Sequence, residues 1–215
     1  VDRVNLSAAK DVLRARGWLS RTPAAFQDAV LSQCQLRSYA AGETVYAQGD
    51  SSTGLWGLAE GSVGIELSGL NQDPSFAYFS GNGFWIGAHT LVVGPGRQVG
   101  LVALRPSKML HLSGSAFHSI AQQQELEAWR WLAMLPPIQV AVAMGTLTDL
   151  LIRDPKRRCA AILLRLAGCR GPVTLDEPEE IHVTQEQLSE MMNLSRTVLG
   201  GILRNFEAQG YIARH

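Results

Sequence analysis

The chain has 215 residues, of which 46% are hydrophobic and 18% are charged, and its 19 Lys and Arg balance 19 Asp and Glu. This composition is typical of a globular protein with room for one large domain or two modest ones. A net charge of zero argues against a diffuse electrostatic binder of nucleic acid. No apolar run approaches the length of a membrane span, so we expect no membrane association.

The cysteines, Cys34, Cys159 and Cys169, form neither a disulfide framework nor a close ligand cluster. No secretory signal is visible at the N-terminus, which lacks an initiator Met. We therefore expect a reduced, cytoplasmic protein with buried structural thiols and no metal site.

The sequence pattern changes near Leu36, from one typical of helix to one typical of short strands. Residues 1–34 are predicted to form helix and turn. Beyond them, glycines recur up to Gly100 at intervals suited to short strands and turns, with Gly61 at a hairpin. Regular short strands of this kind predict an antiparallel barrel or jelly roll.

After Ser113 the glycines stop and a helical pattern begins. Two rows of residues recur at seven-residue intervals, which is typical of a coiled coil: Leu126, Ala133, Val140 and Leu147, and Trp129, Pro136, Ala143 and Leu150. The rows predict a helix that pairs with its twin in a dimer, and a helix packed on the roll is the alternative. A second apolar stripe, Trp131, Leu135, Ile138 and Val142, indicates that both hold, with one face for each partner.

The pair Pro136-Pro137 must interrupt this helix, because each proline lacks an N–H and clashes with the preceding turn. Either the pair forms a hinge in the dimerisation helix, or one helix ends near Leu135 and another begins with Pro137 in its first turn. Asp154-Pro155 is typical of a new helix start. We divide the chain into a sensor roll at 1–123, a dimerisation helix at 124–153, kinked near 136–137, and a C-terminal domain at 154–215.

The segment from Val183 to Ile212 predicts two short helices joined by a tight turn. Thr184 and Gln187 form a capping box that starts the first helix. Asn193 tolerates the left-handed conformation that a sharp turn needs, and Ser195 caps the second helix. This arrangement predicts a helix-turn-helix whose second helix enters a DNA groove, and an ordinary helical hairpin is the alternative.

The second predicted helix has two faces. The inward face carries Leu199, Ile202, Leu203 and Phe206, and the outward face carries Arg196, Thr197, Gly200, Gly201 and Arg204. Basic and small residues on the outward face favour DNA contact. Residues 154–215 hold eight Lys or Arg against eight Asp or Glu, so binding must rest on where charges lie. The acids cluster apart, at Asp176, Glu177, Glu179 and Glu180.

Residues 194–203, LSRTVLGGIL, resemble the recognition helix of the Crp/Fnr family of bacterial transcription regulators, with its opening Ser-Arg pair and a Gly four residues beyond the Arg. Residues 206–212 resemble the family's lead into a wing, which we expect to be incomplete at the end of this chain. Residues 41–50 and 55–65 resemble strands of its cyclic-nucleotide-binding roll. The resemblance implies an α+β fold: an N-terminal antiparallel β-roll (a cyclic-nucleotide-binding-like jelly roll), a long dimerisation helix and a C-terminal winged helix-turn-helix.

By this resemblance, Arg196 is expected at a base edge, bidentate to a guanine. Ser195, Thr184 and Gln185 would donate to phosphates, and Arg204 and the run Lys156–Arg158 are candidate backbone contacts. Thr197 and Gly201 stand where the family's most studied member has a Glu and a second Arg, so the preferred half-site should differ. The partners implied are a palindromic DNA operator, a second copy of the chain and RNA polymerase.

The effector pocket departs from the family pattern. Cyclic-AMP binders use a Gly-Glu-Leu segment and an Arg-Ser pair; the corresponding residues here are Gly87-Ala88-His89 in the run from Trp85 to Leu91, and Arg97-Gln98. Ala88 replaces the Glu and Gln98 replaces the hydroxyl. Ala143 and Met144 stand where the family places the Thr and Ser that bind adenine. We therefore predict that cyclic AMP does not bind with useful affinity.

Other functions have less support. A gas-sensing branch of the family places Cys and His haem ligands near this loop. His89 lies in that neighbourhood and Trp85 would pack on the ring, so haem is an alternative effector. An iron–sulfur cluster would need a further group of cysteines. We predict no enzyme activity, because no nucleophile has a nearby base and no phosphate loop is present. A ligand- or partner-binding module with a degenerate helix-turn-helix is a further alternative, which Gly201 and the charge balance favour.

Overall fold

The computed structural model describes residues 5–69, 74–171 and 178–214. The N-terminal part contains α1 (Leu6–Ala15), a short 3-10 turn (Leu19–Arg21), α2 (Ala24–Gln33), β1 (Gln35–Tyr39), β2 (Thr44–Tyr46), β3 (Gly54–Glu60), β4 (Val63–Leu67), β5 (Ser75–Ser80), β6 (Trp85–Ile86), α3 (His89–Val92), β7 (Gly100–Ala103) and β8 (Ser107–Ser113). The C-terminal part contains α4 (Gly114–Leu132), α5 (Leu135–Leu150), α6 (Pro155–Leu166), α7 (Gln185–Met191) and α8 (Arg196–Ala208).

The strands form two four-stranded antiparallel sheets, in the orders β1-β8-β3-β6 and β2-β7-β4-β5. Alternate residues of β3 point to opposite sides, so Leu58 packs between the sheets while Leu55 faces α1 and α4. Gly61 turns the chain from β3 into β4 with φ +109°, where a side chain would be strained. The predicted antiparallel roll is confirmed.

The helical region after the roll is split into two helices. Ser113 Oγ accepts from the Ala116 N–H at 3.2 Å and starts α4 at Gly114, earlier than residue 124. α4 ends at Leu132, and Pro136 and Pro137 lie in the first turn of α5. A proline is tolerated there because first-turn N–H groups have no partner within the helix. The helical region is therefore interrupted at Ala133 and Met134, before the two prolines, and the prolines belong to the start of the second helix.

Within the 25-residue segment Leu126–Leu150, a stretch of 18 residues has a mean hydropathy of 1.3, so the segment is long and apolar enough to cross a membrane by length and composition only. The expectation that no apolar run reaches this length is therefore wrong. The segment is interrupted at Ala133 and Met134, and only 17% of its apolar window is buried within the described chain. Such exposure of an apolar helix is typical of an interface with a partner.

The C-terminal helices form the predicted helix-turn-helix. Asp154 caps α6, the Thr184–Gln187 capping box starts α7, and Ser195 Oγ accepts from the Val198 N–H at 3.3 Å to start α8. Asn193 makes the turn with φ +50°. The core shared by the three helices contains Cys159, Ile162, Leu188, Met191, Met192, Leu199, Leu203 and Phe206.

Two of the predictions for the C-terminal domain concern the wing strand and the acidic cluster. Tyr211–Arg214 forms no strand within the described residues, so the wing strand expected after α8 is not seen there. His215 lies outside the described residues, as do Asp176 and Glu177 of the acidic cluster.

The helix-turn-helix packs directly on the roll. Phe79 of β5 is buried in the same apolar cluster as α7 and α8, and Phe76 packs beside it. Arg16 pairs with Glu179 at 2.8 Å across the two parts, and Ser62 Oγ donates to the His182 carbonyl at 3.5 Å. The roll therefore contributes to the position of the helix-turn-helix.

Candidate DNA-binding surface and effector cavity

The first turn of α8 presents its predicted outward face to solvent. Arg196, Thr197, Gly201 and Arg204 are exposed, and the side chain of Arg196 is 67% exposed. Ser195 and Thr184 cap α8 and α7, and the bond from Gln185 Nε2 to the Arg196 carbonyl brings the starts of the two helices together. Helix N-termini present free N–H groups, which suits binding of phosphate.

Two residues of α7 hold Arg196. Glu186 forms an ion pair with its guanidinium, and Gln185 Nε2 donates to its backbone carbonyl at 3.0 Å. Both carboxylate and guanidinium are more than 60% exposed, so the pair contributes little to stability. A DNA base or phosphate could therefore replace Glu186 at small cost. Glu186 was missed in the sequence because its contact partner lies ten positions away on another helix.

Gly200 does not lie on the outward face. It is buried, and a Cβ at this position would come within 2.8 Å of Gln185 Nε2. Its absent side chain lets α7 approach α8 closely. The expected DNA contact at Gly200 is therefore corrected: this glycine is a packing position. Gly201, by contrast, has nothing within 4 Å of a Cβ.

The basic run in the first turn of α6 is partly engaged within the chain. Lys156 Nζ lies 5.7 Å from the centre of the Phe206 ring, and Arg158 Nη1 donates to the Ile152 carbonyl at 3.1 Å. Arg157 and Arg204 are exposed. Among the residues predicted to contact the DNA backbone, these two arginines have exposed guanidinium groups.

A cavity of about 1430 Å³ lies between the roll, α5 and the helix-turn-helix. Its wall includes six of the predicted effector residues: Trp85, Gly87, His89, Arg97, Gln98 and Ala143. The other two lie elsewhere. Ala88 is packed in the roll core with 1% exposure, and Met144 faces solvent with 56% exposure. Both differ from the expected pocket because α3 begins at His89 and buries Ala88, and because α5 turns Met144 outward.

Arg97 is a buried structural residue. Its side chain donates to the Gly54 carbonyl at 3.1 Å and to Ser52 Oγ at 3.3 Å, and it stacks 4.2 Å from the centre of the Tyr46 ring. Burial lowers the pKa of Arg97, which remains charged at neutral pH. Nη2 is buried without a hydrogen-bond partner among the described residues. Arg97 is 4% exposed, and Nε and Nη1 are the two guanidinium nitrogens that are hydrogen-bonded among the described residues.

The residues suggested for haem are only partly suited to it. His89 lines the cavity and lies 3.2 Å from Gln98 Nε2 through its own Nε2, while Trp85 is 1% exposed and packs edge-on against Trp18. Among the described residues, no group of three His, Cys, Asp or Glu could hold a metal ion. Burial raises the pKa of Cys34 to about 12 and of Cys159 to about 11, as structural thiols would show.

The predicted dimerisation residues divide between two directions. Leu126, Val140 and Leu147 are 79%, 59% and 49% exposed, and Ala133 and Ala143 are exposed beside them. The ring of Trp129 instead lies 5.1 Å, centre to centre, from the ring of Phe117, a buried residue near the start of α4, and Leu150 packs on the helix-turn-helix. Trp129 and Leu150 therefore face their own chain, as was expected for the residues of the second apolar stripe.

An ionic cluster at the end of α5 was missed in the sequence. Asp149 is fully buried and accepts from Arg165 Nε at 2.7 Å and from Arg170 Nε at 3.0 Å. Burial would raise the pKa of Asp149, yet the hydrogen bonds from Arg170 and Arg165 outweigh it and hold that pKa below its ordinary value. The signal available was an acidic residue within an otherwise apolar helix.

A double-sheet roll, a pair of connecting helices and a terminal helix-turn-helix together define a transcription regulator with a sensor domain. Comparison with known proteins agrees: residues 36–124 match the cyclic nucleotide-binding domain family, and residues 157–215 match the Crp-like helix-turn-helix domain family. The chain belongs to the Crp/Fnr family of transcription regulators.

Two curated relatives and two solved structures illustrate the similarity. The cAMP-activated global transcriptional regulator CRP of Pasteurella multocida is 24% identical over 186 residues, 86% of this chain and 88% of that protein. Vfr of Pseudomonas aeruginosa is 24% identical over 191 residues, with the same shares covered. The c-di-GMP responsive regulator CLP of Xanthomonas campestris has a TM-score of 0.66 at 19% identity, covering 90% of this chain and 96% of CLP. FixK2 of Bradyrhizobium japonicum has a TM-score of 0.67 at 15% identity, covering 84% and 88%.

Proposed function

We propose that this protein is a cytoplasmic, homodimeric transcription regulator that binds a palindromic DNA operator through α8, whose cap is Ser195. The observation that carries the proposal is the exposed first turn of α8, with Arg196 on its outer face. The exposed ion pair between Arg196 and Glu186 can be exchanged for a contact with DNA, so the guanidinium of Arg196 is available to a guanine edge. Thr197 and Gly201 beside it are small, which leaves room for the bases to approach.

The exposed apolar row supports a homodimer. Leu126 on α4 and Val140 and Leu147 on α5 belong to one seven-residue row of the sequence, and all three are about half exposed or more. A second copy of the same helices would bury this row by pairing it with itself. Two recognition helices in such a dimer would lie about 34 Å apart, one turn of DNA.

We further propose that the sensor roll does not respond to cyclic AMP. The carboxylate that would accept from the ribose is absent, because Ala88 stands there and is buried. The guanidinium that would bind the phosphate is already bonded to Gly54 and Ser52. The cavity wall carries Arg16, Arg21, Arg97, Arg165 and Arg170 against the single carboxylate of Glu179 among its described residues, which favours another anionic ligand.

Haem is a second candidate effector because His89 lines the cavity. Reconstitution with haemin followed by an absorption spectrum tests it. A Soret band that His89→Ala removes would support haem as the ligand, and a spectrum without that band would eliminate it.

Selection of random DNA duplexes by the purified protein tests the proposed function. We expect enrichment of a palindrome whose half-sites differ from those of the family's most studied member, and loss of this enrichment for Arg196→Ala. Failure to enrich any palindrome at low salt would favour a degenerate helix-turn-helix. Calorimetric titration with cyclic AMP tests the roll, and we expect no binding. In vitro transcription from the selected operator then tests recruitment of RNA polymerase, which we expect.

A further inference from the structure

Ion pairs made by a buried carboxylate join the end of α5 to the DNA-binding region. Asp149 is 0% exposed, and both of its carboxylate oxygens accept from arginines of the C-terminal domain. Arg165 lies on α6 and is itself only 7% exposed, and Arg170 lies just after α6 and is 46% exposed. One carboxylate of the dimerisation helix therefore holds two separate points of the domain that carries α8.

The fit around Arg165 is close. A Cβ on Gly145, one turn before Asp149, would collide with the guanidinium of Arg165. The glycine therefore leaves the space in which the arginine lies flat against α5. Because a fork-shaped guanidinium bonds a carboxylate in few geometries, this arrangement fixes the angle between α5 and α6 more narrowly than apolar packing would.

The same cluster borders the effector cavity. Arg165 and Arg170 line its wall, together with Thr146 of α5 and Tyr78 of β5. Two arginines facing one carboxylate leave one excess positive charge at this end of the cavity. An occupant of the cavity therefore lies beside the ionic cluster that fixes the helix-turn-helix.

We propose that Asp149 is a positioning residue for DNA binding: through Arg165 and Arg170 it sets the orientation of the recognition helix relative to α5. This inference rests on the proposed function, because the orientation determines which spacing of two operator half-sites a dimer accepts. The buried ion cluster contributes specificity of arrangement, and stability alone would not require charged groups at this place.

The test measures orientation in the free protein and spacing on DNA. Spin labels at Ser38→Cys on β1 and Gln209→Cys after α8, both exposed, are placed in a Cys169→Ser background, because Cys169 is partly exposed whereas Cys34 and Cys159 are buried. Dilution with unlabelled protein leaves one labelled chain per assembly. We expect one narrow distance distribution for the parent and a broad one for Asp149→Asn, which keeps the shape of the side chain and removes its charge.

A second variant guards against loss of folding. Arg170→Gln removes the half-exposed partner and leaves the bond between Asp149 and Arg165 in place, so we expect it to fold with an intermediate broadening. Arg153→Gln, which changes an exposed arginine near the same junction, is the matched control and should resemble the parent. A parent-like distance distribution in both Asp149→Asn and Arg170→Gln would overturn the proposal.

Selection from palindromes with spacers of varied length gives the second measurement. We expect the parent to enrich one spacer length and Asp149→Asn to accept several, with at least a tenfold smaller preference between neighbouring lengths. A variant that has only lost stability would keep the parent's preferred spacing at lower yield. If the parent enriches no palindrome, the proposed function fails, and the distance measurement on the free protein still decides the role of Asp149.

Discussion

Gln185 and Arg196 are bonded across the helix-turn-helix, with Gln185 Nε2 donating to the Arg196 carbonyl at 3.0 Å. The bond joins the first residue of α7 to the first residue of α8, so it sets the position of the arginine that we expect at a base edge. Gly200 lies beneath the same amide. The packing of the two helices and the placement of Arg196 thus depend on one glycine and one glutamine.

Substitution of the two adjacent glycines of α8 should separate packing from helix propensity. Gly201→Ala should raise the free energy of unfolding by about 1 kcal/mol, because alanine favours the helix and its Cβ meets nothing. Gly200→Ala should gain little or lose, because its Cβ displaces Gln185 and costs a hydrogen bond of about 1 kcal/mol. Urea denaturation measures both. Equal stabilisation by the two substitutions would contradict the packing role of Gly200.

Arg196→Ala should weaken operator binding by roughly 1–3 kcal/mol and relax specificity at one base position. Glu186→Gln should do the reverse and strengthen binding several-fold, because it frees Arg196 and removes a negative charge near the DNA. Fluorescence anisotropy with the selected operator and single-base variants measures both changes. Glu190→Gln, at the other end of α7, is the matched control. Weaker binding by Glu186→Gln would show that Glu186 instead orients Arg196 for the bases.

The sequence was sufficient to predict those elements that are specified locally. Thr184, Gln187, Asn193 and Ser195 each determine a cap or a turn within four residues of themselves, and all four were predicted correctly. The glycine-rich strands likewise predicted the roll.

Contacts between distant segments could not be predicted in this way. The burial of Gly200 depends on where Gln185 lies, and the pairing of Asp149 with Arg165 depends on how α5 meets α6. Arg97 was predicted as a residue of the effector pocket, but its bond to the Gly54 carbonyl forms only when the roll closes. No periodicity in the sequence predicts these contacts, because each contact joins residues that only the tertiary fold brings together.

Arg97→Met should destabilise the protein without any ligand. The substitution keeps part of the apolar stem but removes the donors to the Gly54 carbonyl and Ser52, and hydrogen bonds to a charged group contribute about 1.5–3 kcal/mol. We expect a loss of about 2 kcal/mol in the free energy of unfolding, read from urea denaturation. His89→Ala, a cavity residue at the surface of α3, is the control and should change stability little. Unchanged stability of Arg97→Met would indicate that Arg97 serves a ligand alone.

Leu147→Glu should convert a dimer into a monomer, because it places a charge in the exposed apolar row where a second copy would pack. Sedimentation equilibrium at several protein concentrations measures the change. Val93→Glu alters a residue that is 73% exposed outside this row, so it is the matched control and should leave the dimer intact. A parent that is monomeric at all concentrations would contradict the dimer itself, and a dimeric Leu147→Glu would place the interface elsewhere.

Stability should depend on pH through Asp149. Burial alone would raise its pKa, but the hydrogen bonds from Arg170 and Arg165 lower it below the ordinary value of about 4. The folded protein therefore holds the carboxylate charged more readily than the unfolded chain does. The resulting stability is fully present above the ordinary Asp pKa and is lost as the pH falls through the lower folded value.

Asp149→Asn removes this dependence. It should cost up to about 3–5 kcal/mol at pH 7, since it leaves Arg165 buried without its counter-charge, and progressively less below about pH 4. The groups that face Asp149 are Arg165 and Arg170, and Tyr78 of β5 lies near Arg165. The measurement is the difference in urea midpoint between parent and variant, taken from about pH 3 to 7. This difference reports the contribution of the Asp149 charge to stability. A difference that stays constant with pH would mean that the two arginines do not hold its charge.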